Sequence, residues 1–156
     1  SVVDERHGIV YNTSMKKLEI IIDTNVVISA LRSQRGASYK LLMEIGSAKF
    51  DINVSVPLIL EYESVAKRLI GKTQLKKKDI DYILDYICSE AKRWKIFYLW
   101  RPYLKDPKDD MVLEAAVTAK CDFIVTYNKN DFQNVRTFGL KVVTPKEFLK
   151  LIGVIK

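Results

Sequence analysis

The feature that most constrains the fold of this chain is an apolar run, LEIII at residues 18–22, that ends abruptly at Asp23-Thr24-Asn25. A continuous run rich in β-branched residues is typical of a strand that is buried on both faces, as strands are in parallel sheets. The segment VVISALRS that follows carries apolar residues at helical spacing. A buried strand that passes directly into a helix predicts the first unit of an α/β fold.

The same alternation of strand and helix continues along the chain. Further strands are predicted at residues 50–56 (FDINVSV), 95–100 (KIFYLW), 121–127 (CDFIVTY) and 140–144 (LKVVT). Parallel strands need crossover connections, which are usually helices. We therefore expect an α/β fold, a three-layer α/β/α sandwich around a central, mostly parallel sheet of about five strands.

Recognisable start signals precede several of the helices. Ser38 is a candidate cap for the helix that follows the first loop. Asp106-Pro107 combines a capping side chain with a residue that is preorganised for the first helical position. Thr144 and Glu147 have the spacing of a capping box before the last helix.

The length and composition suit a single globular domain. Residues 1–14 show no clear periodicity, so we expect them to be an N-terminal extension or a cloning remnant, with residues 15–156 forming one domain that opens at Met15. A chain of 156 residues with 48% hydrophobic composition can bury a substantial core. No apolar run approaches the roughly 20 residues of a membrane-spanning helix, and the start of the chain does not resemble a secretory signal. No membrane partner and a cytoplasmic location are therefore expected.

The cysteine and histidine content argues against several kinds of site. Cys88 and Cys121 are far apart in apolar surroundings, which favours buried thiols over a disulfide framework or a metal pair. The single histidine, His7, lies near the N terminus, so the sequence favours neither histidine catalysis nor a zinc site. A metal ion in this protein would be held by oxygen atoms.

The basic residues are unevenly distributed in a chain whose formal net charge is +7. One stretch contains Lys67, Arg68, Lys72, Lys76, Lys77 and Lys78, and Lys92, Arg93 and Lys95 follow it. Such a stretch attracts a polyanion and raises its rate of encounter, which makes the first six residues candidates for nucleic-acid binding. The alternative interpretation is a solvated helix face.

Acidic residues accompany four successive strand-to-helix junctions. Asp23 follows the first strand, Glu61 lies in the helix after the second, Asp109 begins the helix after the third, and Asp131 follows the fourth. Ligands of parallel sheets bind beyond the carboxyl ends of the strands, so these four side chains are expected to meet at one edge. Carboxylate oxygens suit Mg²⁺ or Mn²⁺, which orients a water molecule and neutralises charge on a phosphate.

The first two acids also have simpler interpretations. Asp23 can act as an N-cap for the helix after it, although Asn25 beside it would add a second polar group to a site. Glu61 can be an ordinary exposed helix residue, and Glu63 competes for its role because the helix register is uncertain by a residue or two.

The later acids also have structural alternatives. Asp109 can serve only the helix dipole of its first turn, and Asp131 can be a turn residue. Asp106 and Asp110 are better explained as a helix cap and a solvent partner.

Four sequence motifs in order carry a resemblance to a known family: IIDTNVVISAL, LILEYESVAKRL, DPKDDMVLEAAVTAKCDFIVTYNKNDF and VVTPKEFL. Together they resemble the PIN-domain ribonucleases, in the branch described as toxins of toxin–antitoxin pairs, from Met15 to the end of the chain. The resemblance implies a PIN-like fold and an endoribonuclease that uses Mg²⁺ or Mn²⁺ to cleave the phosphodiester bonds of single-stranded RNA. It also implies a homodimer or higher oligomer and an antitoxin partner that blocks the acidic pocket.

The family pattern transfers to individual residues. Asp23, Glu61 and Asp109 match the first three family acids, which implies that they are catalytic residues and metal ligands. The fourth position departs from the most acidic pattern, because Asn128 stands where many members have aspartate and the next acid is Asp131. Asp131 is therefore the expected fourth catalytic residue. The expected supporting residues are Asn25, Thr126 and Asn128.

Two other functions compete with RNA hydrolysis. Asn128 in place of an acid leaves room for a catalytically weak or inactive module that binds RNA or an antitoxin. The DTN motif also fits the nucleophile of a haloacid-dehalogenase-like phosphatase. That chemistry needs a general acid two residues after the nucleophile, where this chain has Asn25, which has no carboxylic proton to donate.

Overall fold

A computed structural model of the chain describes residues 2–4, 9–11, 17–96, 104 and 106–156. The strands are β1 Val2–Asp4, β2 Ile9–Tyr11, β3 Leu18–Ile22, β4 Phe50–Ser55, β5 Lys92–Trp94, β6 Phe123–Val125 and β7 Lys141–Val143. The α-helices are α1 Thr24–Arg32, α2 Ala37–Met43, α3 Val56–Lys67, α4 Lys77–Glu90, α5 Pro107–Thr118 and α6 Pro145–Leu151. His7, Met15, Arg101 and Pro102 lie outside the described residues.

A five-stranded parallel sheet in the order β5-β4-β3-β6-β7 forms the centre of the molecule. Ile20, Ile21 and Ile22 of its middle strand are all fully buried. Because neighbouring residues of a strand point to opposite faces, both faces of this strand are covered. The predicted three-layer α/β fold is confirmed. Strands β1 and β2 pair with each other in a separate antiparallel sheet.

The strand order reverses at the middle of this sheet. From β3 the chain adds β4 and β5 on one side, and it then places β6 and β7 on the other side. The connections that follow β3 and β6 therefore run to opposite sides of the sheet, which leaves a crevice beyond the carboxyl ends of these two strands. Open α/β sheets bind their ligands in such a crevice. Asp23 follows β3 and Thr126 follows β6, and the Asp23 backbone N–H donates to the Val125 carbonyl at 2.9 Å.

Two of the predicted helix starts are confirmed, and one is wrong. Asp106 caps α5 by accepting a hydrogen bond from the Lys108 backbone N–H at 2.9 Å. Thr144 and Glu147 form the expected capping box of α6. Ser38, however, lies inside α2, whose N-cap is Gly36. The Ser38 side chain is fully buried, and its hydroxyl lies 2.6 Å from that of Tyr127.

The third strand of the sheet lies earlier than predicted. The prediction placed it at residues 95–100, but the described strand is Lys92–Trp94, and residues 97–100 lie outside the described part. All three residues of β5 are exposed at the edge of the sheet, so no apolar pattern marks the strand. Basic side chains on an edge strand discourage pairing with another chain.

The helix that carries Glu61 is fixed to the central strand from inside the core. Tyr62 of α3 is fully buried, and its hydroxyl donates to the carbonyl of Ile22, one residue before Asp23. The two cysteines are free, as expected; Cys121 is buried and Cys88 is half-buried. Burial raises the pKa of Cys121 to about 12, so this thiol is unreactive at neutral pH. In the described part of the chain, no helix is long and apolar enough to span a membrane.

Candidate active site

A cleft of about 640 Å³ lies at the carboxyl edge of the sheet, and it contains all four predicted acids. Asp23, Glu61, Asp109 and Asp131 line it together with Asn25 and Asn128. The lining also includes Thr24, Ile28, Ser29, Arg32, Ser33, Val65, Arg68, Asp106 and Lys108. The acids of four separate junctions therefore reach one opening.

Asp23 is held by a hydrogen bond to each of its carboxylate oxygens. Oδ1 accepts from the Thr24 backbone N–H at 2.8 Å, and Oδ2 accepts from the Thr126 hydroxyl at 2.7 Å. The side chain is thus the N-cap of α1, and it also lies at the bottom of the cleft with only 7% of its surface exposed. Capping and ligand binding are compatible here, because each carboxylate oxygen has a second lone pair.

Thr126 organises the polar groups behind the cleft. Its hydroxyl oxygen accepts from the Asn25 side-chain amide at 3.3 Å and from the Asn128 backbone N–H at 3.0 Å. Because both partners donate, the single hydroxyl proton is directed to Asp23. The Asn25 side-chain oxygen in turn accepts from the Tyr127 backbone N–H at 3.4 Å. Both ends of the Asn25 amide are thus hydrogen-bonded within the site, and a carboxamide has no acidic proton for the general-acid role that the phosphatase alternative requires.

Replacing Thr126 with valine is expected to lower the free energy of unfolding by about 1–3 kcal/mol, because the buried Asp23 carboxylate loses the hydroxyl that donates to its Oδ2. Valine has nearly the same shape as threonine, so the packing of this fully buried position changes little. Chemical denaturation of Thr126→Val, compared with wild type, measures the loss. Thr126→Ser keeps the hydroxyl and is the matched control, and equal losses for both variants would contradict the assigned role.

Asp109 lies in the first turn of α5, among other carboxylates. Burial raises the pKa of its carboxyl to about 7, with further contributions from the negative charges of Asp23, Asp131, Asp106 and Asp110. The pKa of Asp23 is also raised, first by burial, although the hydrogen bonds from Thr126 and Thr24 oppose the increase. The cleft thus concentrates negative charge at an energetic cost that a bound cation would relieve.

The structure distinguishes the two glutamates of α3. Glu61 lines the cleft, and its Oε1 lies 3.8 Å from the Lys108 ammonium. Glu63 does not line the cleft, and its carboxylate forms an ion pair with Lys67 at 3.3 Å. Glu61 is therefore the better candidate for the helix acid.

The donor chemistry of the cleft suits a hard divalent cation. Asp23 and Asp109 offer carboxylate oxygens, and Asn128 carries an amide oxygen. Within the described residues, no three His, Cys, Asp or Glu side chains are arranged so that they could hold one metal ion together. Mg²⁺ usually takes one or two carboxylates and completes its octahedral shell with water and substrate phosphate. Asp23 and Asp109 fit that mode of binding, and the carboxylate of Glu61 lies in the same cleft, 3.8 Å from the Lys108 ammonium.

Only one residue of the predicted basic stretch lines the cleft. That residue is Arg68, which follows the last turn of α3. Lys67 is paired with Glu63, and Lys77 is paired with Asp81 at 3.0 Å. The remaining members, Lys72, Lys76 and Lys78, are exposed outside the cleft.

Sequence reasoning missed Arg32 and Lys108, which also line the cleft. A signal for Arg32 was present, because Asn25, Ser29 and Arg32 stand at i, i+4 and i+7 on α1. Residues at this spacing share one face of a helix. On α3, Glu61, Val65 and Arg68 repeat the pattern, so each helical wall ends in an arginine.

The prediction for Asp110 was wrong, and that for Asp106 was incomplete. Asp110 is not a solvent partner: it is 1% exposed, and its Oδ1 accepts from the Leu104 backbone N–H at 2.8 Å. Asp106 is a cap, as predicted, but it also lines the cleft.

Comparison with known proteins places this architecture in a family. An uncharacterised protein of Methanocaldococcus jannaschii, MJ1680, is 28% identical over 146 residues, which cover 86% of this chain and 91% of that protein. The crystal structure of VapBC2 from Rickettsia felis bound to a DNA fragment from their promoter superimposes with a TM-score of 0.56. That match has 16% identity and covers 80% of this chain and 98% of the other, and it supports the fold. The family model described as PIN domain matches residues 19–130, which is more than half of the chain, so this protein belongs to the PIN-domain family, whose members are generally nucleases.

Proposed function

We propose that this protein is a divalent-metal-dependent endoribonuclease that hydrolyses phosphodiester bonds of single-stranded RNA. The observation that carries the proposal is the cleft in which Asp23, Glu61, Asp109 and Asp131 meet beside Arg32, Arg68 and Lys108. Such a cleft combines oxygen ligands for Mg²⁺ or Mn²⁺ with positive side chains for the phosphates of a nucleic acid. This pairing favours phosphodiester hydrolysis over the other functions considered.

Within this proposal, Asp23 and Asp109 hold the cation, and Thr126 keeps the Asp23 carboxylate in one orientation. When bound, a divalent cation would supply positive charge to offset the charge developing on the phosphate and would lower the pKa of a water molecule. Asp131 is exposed at the mouth of the cleft, where its carboxylate can accept a proton from the attacking water. Glu61 lines the same cleft, with its carboxylate 3.8 Å from the Lys108 ammonium.

The two arginines define where the substrate chain would run. Arg68 follows Glu61 by seven residues on α3, and Arg32 follows Asp23 by nine residues on α1. At 1.5 Å per residue, the backbones of the two arginines therefore lie roughly 10 Å and 14 Å farther along their helices than those of the two acids. The arginines are thus placed to bind phosphates that neighbour the scissile one.

Replacing Arg68 with alanine is expected to weaken RNA binding and to lower the slope of log K against log salt concentration by about 0.7, the value for one phosphate contact on a single strand. Fluorescence anisotropy with a labelled single-stranded RNA at several salt concentrations measures this slope. Lys141→Ala is the matched control, because Lys141 is exposed at the amino end of β7, on the opposite edge of the sheet. An unchanged slope for Arg68→Ala would contradict the proposed path.

The direct test of the activity is incubation of the protein with end-labelled single-stranded RNA in Mg²⁺, in Mn²⁺ and in EDTA. We expect internal cleavage with either metal and none in EDTA. Duplex RNA and single-stranded DNA of the same sequence test the substrate class, and we expect both to be cleaved more slowly. Cleavage that continues in EDTA would contradict the metal requirement.

A second candidate function is a catalytically weak or inactive module that binds RNA or an antitoxin. Two features favour it: by the family resemblance, Asn128 stands where many members have an acid, and the Glu61 carboxylate lies 3.8 Å from the Lys108 ammonium. RNA binding that persists in EDTA, with no cleavage in any divalent metal tried, would support this candidate against the first.

We also propose that this protein is the toxin of a toxin–antitoxin pair. Its support is the structural similarity to VapBC2, together with a family whose members are generally nucleases. Induced expression of the chain is then expected to arrest bacterial growth, and co-expression of a cognate antitoxin should restore it. Growth that is unaffected by expression of the active enzyme would contradict the toxin proposal.

A homodimer stays a prediction from the family resemblance, and size-exclusion chromatography with light scattering tests it.

A further inference from the structure

A second cavity, of about 410 Å³, adjoins the acidic cleft on the side of the loop after β6. Tyr127, Asn128, Lys129, Asn130, Asp131 and Thr144 line it. Asn128 and Asp131 line the acidic cleft as well, so the two cavities share a wall. A polymeric ligand held in the cleft would therefore pass next to the second cavity.

Tyr127 stands in this cavity with its ring in an unusual orientation. A tyrosine at a protein surface generally buries its ring and presents its hydroxyl to water. Here the hydroxyl lies 2.6 Å from that of Ser38, which is fully buried, while 44% of the tyrosine surface is exposed. The polar end thus points into the protein, and the apolar ring is left in contact with solvent.

The ring is also fixed in position at both ends. The hydrogen bond with Ser38 restrains the phenol, and the backbone N–H of Tyr127 donates to the Asn25 side-chain oxygen at 3.4 Å. A restrained aromatic side chain loses little conformational entropy when a ligand packs against it. The exposed ring is therefore a prepared binding surface.

We propose that Tyr127 is the stacking platform for one nucleobase of the RNA, next to the phosphate held in the acidic cleft. This inference rests on the proposed ribonuclease function. A base attached to a neighbouring nucleotide enters the second cavity, lies against the tyrosine ring and meets the side-chain amides of Asn128 and Asn130 at its edge. Every base has a π-face, so the site requires a base without selecting strongly among the four.

The lining of the cavity favours a nucleobase over an apolar peptide side chain. Lys129, Asp131 and the two asparagines surround the single aromatic ring with polar groups. Purine and pyrimidine rings combine a flat apolar face with hydrogen-bonding edges, and proteins bind unstacked RNA bases through this combination. An aliphatic side chain would offer the amides of Asn128 and Asn130 no hydrogen-bonding partner.

The test compares Kd values for a labelled ten-nucleotide RNA and for a set of RNAs that each carry one abasic site. Fluorescence anisotropy is measured in EDTA, so that no cleavage occurs. For wild type, one abasic position is expected to raise Kd about 5- to 150-fold, the range that removal of one base–aromatic stack produces. Tyr127→Ala should show the same loss with intact RNA and no additional loss at that abasic position.

Two further variants keep the test interpretable. Tyr127→Phe retains the ring and should bind within a few-fold of wild type. Tyr82→Ala removes another exposed tyrosine, on α4 outside both cavities, and should leave Kd unchanged. Equal Kd values for wild type and Tyr127→Ala, with no sensitive abasic position, would overturn the stacking site and leave the proposed function intact. Failure of wild type to bind any of the RNAs in EDTA, and to bind or cleave them once Mg²⁺ is added, would overturn both.

Discussion

Replacement of Asp23 by asparagine is expected to reduce the rate of RNA cleavage by about a thousandfold while the protein stays folded. A bound cation contributes several kcal/mol of transition-state stabilisation, and each 1.36 kcal/mol corresponds to a tenfold change in rate. Asparagine removes the negative charge that attracts the cation. It still serves as a helix N-cap, because asparagine and aspartate are about equally good in that role.

The stability of this variant is expected to change little because two effects oppose each other. The Thr126 hydroxyl already accepts two N–H groups, so an asparagine amide facing it would lose the hydrogen bond that the carboxylate now accepts. Against that loss, removal of a buried charge is favourable, as the raised pKa of Asp23 indicates. Single-turnover cleavage assays and thermal unfolding should be measured on the same samples.

The matched control for the Asp23 variant is Asp85→Asn, an exposed acid on α4 that does not line the cleft. Wild-type activity is expected for it. Comparable cleavage by wild type and Asp23→Asn would contradict the catalytic assignment of the whole acidic cleft.

The second large effect is expected for Asp109→Asn, which should abolish cleavage and make the metal-free protein more stable. The charged carboxyl is surrounded by other acids, and its raised pKa reflects burial first and their repulsion second. Asparagine removes this penalty, although it also loses the favourable interaction of a carboxylate with the helix dipole, worth about 0.3–1 kcal/mol. Since the side chain is partly exposed, we expect a net gain of about 1 kcal/mol, or roughly 2–4 °C in Tm for a chain of this size.

The gain in stability should depend on pH in a defined direction. The pKa of Asp109 is raised in the folded protein from 3.8 to about 7. Below pH 3.8 the folded and unfolded chains both hold the proton, so the group has no effect on stability. Between pH 3.8 and about 7 the unfolded chain has already released the proton, and the penalty to the folded state grows. Above pH 7 the penalty is at its full value.

Thermal unfolding in EDTA at pH 5 and pH 8 therefore distinguishes the relief of charge repulsion at Asp109 from a change in packing. The difference in Tm between Asp109→Asn and wild type should be larger at pH 8. A variant that is less stable than wild type at both values would contradict the repulsion. Excess Mg²⁺ should narrow the difference, because cation binding stabilises only the folded wild-type site.

The sheet was predictable from the sequence because its inner strands have a strong signal. Ile20, Ile21 and Ile22 are buried on both faces, and a continuous apolar run reports that environment directly. The position of Asp23 at the strand end followed from the same run. Since parallel strands bring their carboxyl ends to one edge, the meeting of the four acids was also predictable.

Other features carried weaker signals or none. Strand β5 is exposed and basic, so no apolar pattern marks it. The strand was therefore predicted at the more apolar residues 95–100 that follow it. Ser38 resembled a cap, yet the backbone of Gly36 begins the helix without a side-chain cap. The contact between Ser38 and Tyr127 joins residues that are 89 positions apart, which local patterns do not report.

The measurement that tests the central claim most directly is the anomalous scattering of Mn²⁺ in crystals of the wild-type protein. The central claim is that the acidic cleft is a divalent-cation centre organised by Asp23. We predict a single strong anomalous peak between the carboxylates of Asp23 and Asp109, and no peak at that place in crystals of Asp23→Asn. A cleft without anomalous density at saturating Mn²⁺, in wild-type crystals whose cleft is open to solvent, would contradict the account.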